Sequence, residues 1–425
     1  MKKALILAMG LLMLFSISSF ATETRTLVMG DNNMILVDDA NIWLFPGRLL
    51  NYPNIAIGEF TSARNNFDGF GSPVESGFYK TGVHWQFGSD NPWIVATYIA
   101  TTPAGSPMNL YTGVRLTRWD MLPLAHHERG ADLMISHAVG GYNAGFHFSG
   151  RSTIYKNDVT DDKEEESYNR YLFKLGVSEP LGKWDLGFGL QFGSWKDKDE
   201  DGEDVTEVDG DFDMSALFRI FFVANPTWDV IPHLGFGYSK RGQKDHFADD
   251  SISTKSDVDT KTTRFEFGGG VGLAYSPAPA VFAVIDLSGM FRTEKQERTW
   301  AAVPGTPDPT TAGNDESKRS TFVGGWRLGV EGDVFKWMTL RLGATGLGFG
   351  EADQFATSQG PTFSTNEQYA WNDNTTYLGL GFHWDRLYID TYTSPQLVLD
   401  GFNFISGSTD ARNMNFQVTL LYEMF

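Results

Sequence analysis

Three aspartates at alternate positions are the first candidates for chemistry in this sequence. Asp197, Asp199 and Asp201 have the spacing of the first half of a calcium-binding loop, with oxygen ligands at positions 1, 3 and 5 and glycine at position 6. Position 12 is Val208, where such loops carry glutamate, and the flanking segments alternate like strands. The sequence therefore favours a solvated acidic loop, which could bind Ca²⁺ weakly.

Motifs of catalysis are missing elsewhere in the sequence. His126-His127-Glu128 is its one histidine cluster and lacks an identifiable third metal ligand. The chain has no cysteine, no Gly-x-Ser-x-Gly elbow and no Gly-Lys-Ser/Thr phosphate loop. We therefore expect no enzyme activity, no metal site and no cofactor.

The net charge of the chain and its first 21 residues indicate which class of protein it belongs to. With 34 basic and 53 acidic residues the net charge is −19, which excludes non-specific binding of nucleic acid through charge. Residues 1–21 resemble a secretory leader: Lys2 and Lys3 precede an apolar run, and Ser19-Phe20-Ala21 predicts cleavage before Thr22. The sequence thus predicts an exported chain.

Most of the chain from residue 54 onward alternates between apolar and polar or small residues. In 79–87, Tyr79, Val83 and Trp85 share one phase, which we expect to face lipid, and Lys80, His84 and Gln86 share the other, which we expect to face a lumen. The alternating segments are longer than the strands of soluble sheets, and their length suits tilted strands that cross a membrane. Tryptophans stand at several strand ends, where an interfacial girdle belongs (Trp184, Trp228 and Trp384).

The connections predict how many strands there are. Seven short links, the sixth at 332–335, alternate with eight longer polar stretches such as 196–210 and 240–261. This is the pattern of an outer-membrane antiparallel β-barrel with short periplasmic turns. It predicts sixteen strands, or fourteen if the weak candidates 54–60 and 131–137 are not strands, with both termini in the periplasm.

Charged residues in the inward phases predict a polar, occupied interior. We expect them to form wall salt bridges or to pair with acids of an inserted segment. The inward glycines would let another backbone approach closely. Besides Lys80, His84 and Gln86, the candidate lumen-facing residues are Arg151, Arg170, Lys174, Arg219, Arg264, Glu266, Arg292, Arg327, Glu331 and Arg341.

Residues 22–53 do not alternate and carry a recognisable series. Arg25, Leu27, Met29 and Gly30, then Asp38-Asp39-Ala40, then Pro46, resemble the N-terminal segment of the FadL/PorV-like outer-membrane proteins. Val28, Phe45 and Gly47 depart from that pattern. The resemblance implies that 22–53 is a plug inside the barrel formed by 54–425. Its apolar run would line a pocket (Ile42, Trp43, Leu44 and Phe45).

These features favour a FadL-like channel for hydrophobic small molecules. A non-transporting PorV-like scaffold, or a structural or adhesive barrel, stays open as the alternative, and a general porin is third. The expected partners are outer-membrane lipid, lipopolysaccharide and a hydrophobic ligand. The alternating last strand, which ends in Phe425, resembles the signal read by the outer-membrane assembly machinery.

Overall fold

The computed structural model describes residues 22–30, 32–65, 74–103, 127–157, 164–198, 205–246, 257–300, 313–357, 363–367, 373–393 and 414–424. Three short helices come first: α1 (Glu23–Val28) and the 3₁₀ helices η1 (Asp39–Trp43) and η2 (Pro46–Asn51). The strands that follow are β1 (Ile55–Asn65), β2 (Val74–Phe87), β3 (Trp93–Pro103), β4 (His127–Val139), β5 (Tyr142–Asn157), β6 (Glu164–Ser178), β7 (Trp184–Lys198), β8 (Val205–Ile220) and β9 (Phe222–Asn225). The remaining strands are β10 (Trp228–His246), β11 (Asp257–Ala278), β12 (Val281–Trp300), β13 (Gly313–Phe335), β14 (Met338–Thr357), β15 (Phe363–Glu367), β16 (Asp373–Trp384), β17 (Leu387–Thr393) and β18 (Met414–Glu423).

The strands form one closed antiparallel barrel. Each pairs with its neighbours in sequence, and β1 closes the circle by pairing with β18 as well as with β2. Two barrel strands consist of two pieces: β8 and β9 flank Phe221 and both pair with β10, and β15 and β16 both pair with β14. The described segments therefore make sixteen barrel strands, which confirms the predicted fold class. The weak candidates 54–60 and 131–137 lie in β1 and β4.

The short connections gather at one end of the barrel, which we call the short-turn end. They are 88–92, 140–141, 179–183, 226–227, 279–280, 336–337 and 385–386. The sixth was predicted wrongly at 332–335, which belongs to β13; Lys336 and Trp337 make the turn instead. Gly332 and Asp333 pair with Leu340 and Thr339 of β14, so they are strand and not turn, and the register shifts only after Asp333.

Several strands of the wall are long. Strands β10 to β14 have 19 to 23 residues. The described parts of the predicted loop 240–261, residues 240–246 and 257–261, therefore belong to strands β10 and β11. Facing charges hold these long strands together: Arg264 lies 2.9 Å from Glu294 and Lys295 lies 3.1 Å from Glu316, each pair joining adjacent strands.

The two faces of the wall differ as the alternation requires. Tyr79 and Trp85 are 48% and 44% exposed on the outer face, whereas Lys80 and His84 are buried inside. At the short-turn end, stacked aromatic rings surround the outside of the barrel. Examples are Trp228 on Tyr275, Trp93 on His137, and the group Phe335, Trp337, Phe382 and Trp384.

The N-terminal segment, residues 22–53, lies inside the barrel near the short-turn end; we call it the plug. Helix α1 contacts β14, β16, β17 and β18, and η2 contacts β3 to β6. The strands form the wall and the plug occupies part of the lumen, so the candidate site consists of residues from both. Among the described residues, no helix is long and apolar enough to cross a membrane.

Candidate functional site

Helix α1 is fastened to the wall through a chain of ion pairs. Arg25 donates two hydrogen bonds to Glu331, at 2.8 and 2.5 Å, and Arg341 reaches the same carboxylate at 3.0 Å. Arg341 also binds Asp390 on β17, which accepts a hydrogen bond from Thr22 at 2.8 Å. A bidentate arginine–carboxylate pair fixes orientation as well as distance, so this chain sets how α1 lies against the wall.

Lys80 links α1 to β2, which is separated by β1 alone from β18, a strand that α1 contacts. Its ammonium group binds Glu23 of the plug and lies 2.9 Å from Glu59 on β1. It also stands 4.6 Å from the centre of the Trp43 ring, within the range of a cation–π contact. Burial, together with the charge of Glu59, raises the pKa of Glu23 to about 7. One lysine therefore serves two carboxylates, and Glu23 is the one that gains a proton first.

Asp38 and Asp39 were expected to meet inward arginines of the wall, and the observed contacts differ. Asp38 lies 3.8 Å from Arg25, a residue of the plug itself, and accepts a hydrogen bond from Thr26 at 2.8 Å. Asp39 is buried without an arginine partner among the described residues, and burial raises its pKa well above the ordinary range. Asn41 accepts from the Asp38 backbone N–H at 3.2 Å, so this series starts η1 instead of pairing with the wall.

A buried triad fastens η2 to the wall. Arg48 donates to both oxygens of Asp185 on β7, at 2.6 and 2.9 Å, and Arg219 on β8 donates to the same carboxylate at 2.7 Å. Arg219 further donates to the Leu36 carbonyl at 3.0 Å and to the Asn41 side chain at 2.8 Å. Its guanidinium group lies 4.6 Å from the Phe45 ring centre. Arg219 is thus the wall residue around which the middle of the plug folds.

Glycines of the wall bring the plug backbone into direct contact with the strands. A Cβ atom on Gly329 would stand 2.5 Å from the Met29 carbonyl oxygen, and one on Gly187 would stand 2.5 Å from the Leu44 carbonyl oxygen. Gly343 faces the Val28 carbonyl in the same way, and Gly145 faces Pro46. No other residue type fits at such a distance, which explains why the inward phases are rich in glycine.

The run Ile42 to Phe45 fills space against the wall and divides between two clusters. Ile42 packs in a cluster that includes Ile94, Tyr98 and Met134 of the inner wall. Phe45, with Leu44 beside it, packs with Met34 and Leu217. Trp43 packs against the first cluster, with its ring 4.9 Å from the Tyr98 ring and 5.3 Å from the His147 ring. The four residues therefore do not line one common pocket.

The plug residues of the FadL/PorV-like series hold the turns and close contacts. Gly30 adopts a φ of +82° against the Leu328 carbonyl, a conformation that favours glycine. Met29 and Ala40 are buried, Leu27 is half-buried, and Pro46 packs between Gly145 and Gly176.

The other lumen-facing candidates mostly pair along the wall. Arg151 and His147 share Asp132, Arg327 and His233 share Asp286, and Arg292 binds Glu266. Lys174 instead meets the plug, donating to the Trp43 carbonyl at 2.6 Å. Arg170 is buried facing inward, and Gln86 is exposed at the short-turn end.

Several residues that matter at the site were not singled out from the sequence. Arg48 lies in a segment without alternation, Glu59 lies in the weak strand candidate 54–60, and no inward phase was assigned to the stretch that holds Asp390. The period-two phase places Glu59 and Asp390 inward, but nothing in the sequence reveals that they meet the plug.

The calcium and histidine candidates fall at the edge of the described residues. Asp197 ends β7, whereas Asp199, Asp201 and His126 lie outside the residues that the structure describes. Across the described ranges, no group of three or more His, Asp or Glu side chains could hold a metal ion.

Comparison with known proteins gives structural likenesses only, since no family model and no curated protein matches the chain. The Pseudomonas putida toluene transporter TodX is 9% identical with a TM-score of 0.41, over 96% of this chain and 98% of that chain. The ferric yersiniabactin uptake receptor FyuA from Yersinia pestis is 8% identical with a TM-score of 0.41, over 87% and 80%. A bacterial polysaccharide outer membrane secretin is 8% identical with a TM-score of 0.39, over 88% and 99%.

The fold is that of an outer-membrane β-barrel. Its closed antiparallel wall, apolar exterior and aromatic girdle meet the requirements of a bilayer by themselves. The likenesses above describe this general architecture and carry no evidence about a substrate.

Proposed function

We propose that this chain is an outer-membrane channel through which hydrophobic small molecules pass, and that the plug closes it in the described state. Under this proposal the short turns and both termini face the periplasm, lipid and lipopolysaccharide surround the wall, and the protein has no catalytic role. The proposed channel is FadL-like in being a plugged barrel, and movement of the plug opens the passage.

An apolar patch on the inner wall is the observation that carries the proposal. Ile57, Ile94 and Met134 face inward on β1, β3 and β4 and are 7%, 1% and 0% exposed, covered by Ile42 and Leu49 of the plug. The interior of an outer-membrane barrel is ordinarily polar. If the plug shifts, this patch becomes an apolar surface that runs beside it, which suits a molecule without charge.

Photolabelling tests this proposal directly. A small apolar diazirine, added to the protein in lipid nanodiscs, should label Ile94 and Met134 once the plug is loosened, for example by Asp185→Asn. Labelled residues are found by mass spectrometry, and Thr97, which points to lipid on β3, is the internal control. Label confined to outward residues in both the wild type and the variant would contradict the proposal.

A second candidate function, a non-transporting structural or scaffolding barrel, is favoured by the length of strands β11 to β13. The upper parts of β11 to β13 carry charged pairs, such as Lys295 with Glu297 and with Glu316, well above the roughly ten residues that cross a bilayer. Such a sheet could display a surface to partners. This function predicts that the plug stays seated in every condition and that Ile94 and Met134 remain unlabelled.

A further inference from the structure

Thr22 is an unusual residue to find buried, because the sequence predicts that it becomes the first residue of the exported chain. It is 1% exposed and lies against β17. Its hydroxyl donates to the Asp390 carboxylate at 2.8 Å and accepts from the Arg25 backbone N–H at 3.3 Å, while its carbonyl accepts from the Thr26 N–H at 3.1 Å. Thr22 is thus the N-cap of α1 and is seated in the wall.

Cleavage before Thr22 would turn its amide nitrogen into an ammonium group. Covalent geometry keeps this nitrogen within about 4 Å of the Thr22 hydroxyl, and the hydroxyl lies 2.8 Å from Asp390. The new charge therefore arises within the lumen and within reach of the Asp390 carboxylate.

The surroundings of α1 contain more negative than positive groups. Arg25, Lys80 and Arg341 are the described cations that form ion pairs there. The carboxylates are Glu23, Asp38, Asp39, Glu59, Glu331 and Asp390. Arg219 adds a longer-range attraction for Asp38.

Asp39 shows this shortage of positive charge most clearly. It is 4% exposed, and its Oδ1 atom has no hydrogen-bond partner among the described residues. Asp38, Glu59 and Glu23 are the neighbouring acids, and Lys80 is the neighbouring base. An added cation in this region would relieve repulsion among buried carboxylates, which is costly in a medium of low dielectric constant.

We infer that removal of the leader supplies this missing cation: the α-ammonium group of Thr22 pairs with Asp390 and completes the seat of the plug. Asp390 is then shared by Arg341 and the chain terminus, one on each oxygen. The plug seats fully only in the processed chain, so export and closure of the barrel are coupled by a single proteolytic step. The inference does not depend on what the barrel transports.

Amine labelling of the purified mature protein tests the inference. Mass spectrometry first establishes that the chain begins at Thr22. An acylating reagent at pH 7 should then modify the Thr22 amine at least ~10-fold more slowly in the folded protein than in urea, because a paired ammonium has a raised pKa and loses its reactive form. The exposed Lys183 serves as the internal reference.

Two variants separate charge pairing from simple burial. Asp390→Asn should restore labelling of the Thr22 amine in the folded protein, whereas Asp333→Asn, an exposed carboxylate at the short-turn end, should leave the protection intact. If Asp390→Asn fails to assemble, insertion of Ala-Ala between Ala21 and Thr22 moves the ammonium group and should speed amide exchange across 23–28. The inference is overturned if the mature chain starts elsewhere, or if the Thr22 amine is labelled at the same rate in folded and unfolded protein. It is also overturned if Asp390→Asn leaves the amine protected, or if the insertion leaves amide exchange across 23–28 unchanged.

Discussion

Asp185 carries two arginines, Arg48 from the plug and Arg219 from the wall, and all three side chains are almost fully buried. Replacing a buried carboxylate by an amide leaves two cations without their counter-charge. The loss falls on the contact between plug and wall, because the strands on either side keep their backbone pairing. The plug is therefore held by a few charged residues whose removal should free it without unfolding the barrel.

Asp185→Asn should weaken docking of the plug by about 3–5 kcal/mol, the cost of breaking a buried ion pair by removing one partner. Hydrogen–deuterium exchange over residues 38–51 should become faster, and exchange in β7 and β8 should stay slow. Asp333→Asn is the matched control and should change neither. Unchanged exchange over 38–51 would mean that the triad does not hold the plug.

Glu23 makes docking depend on pH. Its pKa in the docked plug is about 7, above the ordinary value of 4.5, so the docked state binds the extra proton. The contribution of Glu23 to docking is therefore complete below pH 4.5 and is lost as the pH rises through 7. The raised pKa values of Asp38 and Asp39 act in the same direction. The wall carboxylates Glu59 and Glu331 are held ionised by their basic partners, so their contributions change only below pH 4.5. We expect lower leak conductance in planar bilayers at pH 5 than at pH 8, and a smaller difference in Glu23→Gln. A higher conductance at pH 5 would contradict this assignment.

At the scale of elements, glycines of the strands leave the room that the plug backbone needs to pack against the wall. Gly329 and Gly332 lie on the same strand, yet a Cβ atom would stand 2.5 Å from the Met29 carbonyl at the first and 3.8 Å from the nearest atom at the second. Gly329→Ala should displace α1 and weaken docking by about 1–3 kcal/mol, the usual cost of overpacking. We expect faster amide exchange over 23–30 in Gly329→Ala and no change in Gly332→Ala. Equal exchange in the two variants would be evidence against a close contact between Gly329 and the Met29 carbonyl.

The outward phase of a strand should tolerate charge far less than the inward phase. Phe192 points outward on β7 and is 44% exposed, and its neighbour Gln191 points inward, donating to Asp213 at 2.9 Å. Phe192→Arg should cost about 2–4 kcal/mol near the bilayer midplane. Gln191→Arg keeps an acid partner and should cost much less. Unfolding titrations in lipid vesicles measure both, and similar losses would reverse the assignment of the faces.

Sequence patterns predict the barrel well because each strand follows one local rule, the alternation of lipid-facing and lumen-facing residues. The alternation in 79–87 follows from having lipid on one side and a lumen on the other, so sixteen strands could be counted before the structure was known. The turn at 336–337 was misplaced because Gly332 and Asp333 look like turn residues although they pair with β14.

Contacts between the plug and the wall could not be predicted in the same way. Arg48 meets Asp185 across 137 positions, and Thr22 meets Asp390 across 368. Such pairings depend on where the plug settles in three dimensions, and no periodicity of a single strand records that position. The prediction for Asp38 therefore named wall arginines, whereas Asp38 meets Arg25 and Thr26 of its own segment.

At the scale of the whole molecule, the protein is a barrel whose short-turn end is filled by the plug. A wall of sixteen strands encloses enough space for a channel, so the plug decides whether anything passes. The strands close on each other through β1 and β18 without help from the plug. The barrel should therefore assemble whether or not residues 22–51 are present.

Single-channel conductance of a variant that lacks residues 22–51 tests this central claim most directly. The leader stays in place for export, and heat-modifiable migration on gels shows that the barrel has folded. The account predicts a large, stable increase in conductance over the full-length protein, because the filled end of the lumen is then open to water and ions. A folded barrel with the conductance of the full-length protein would contradict it.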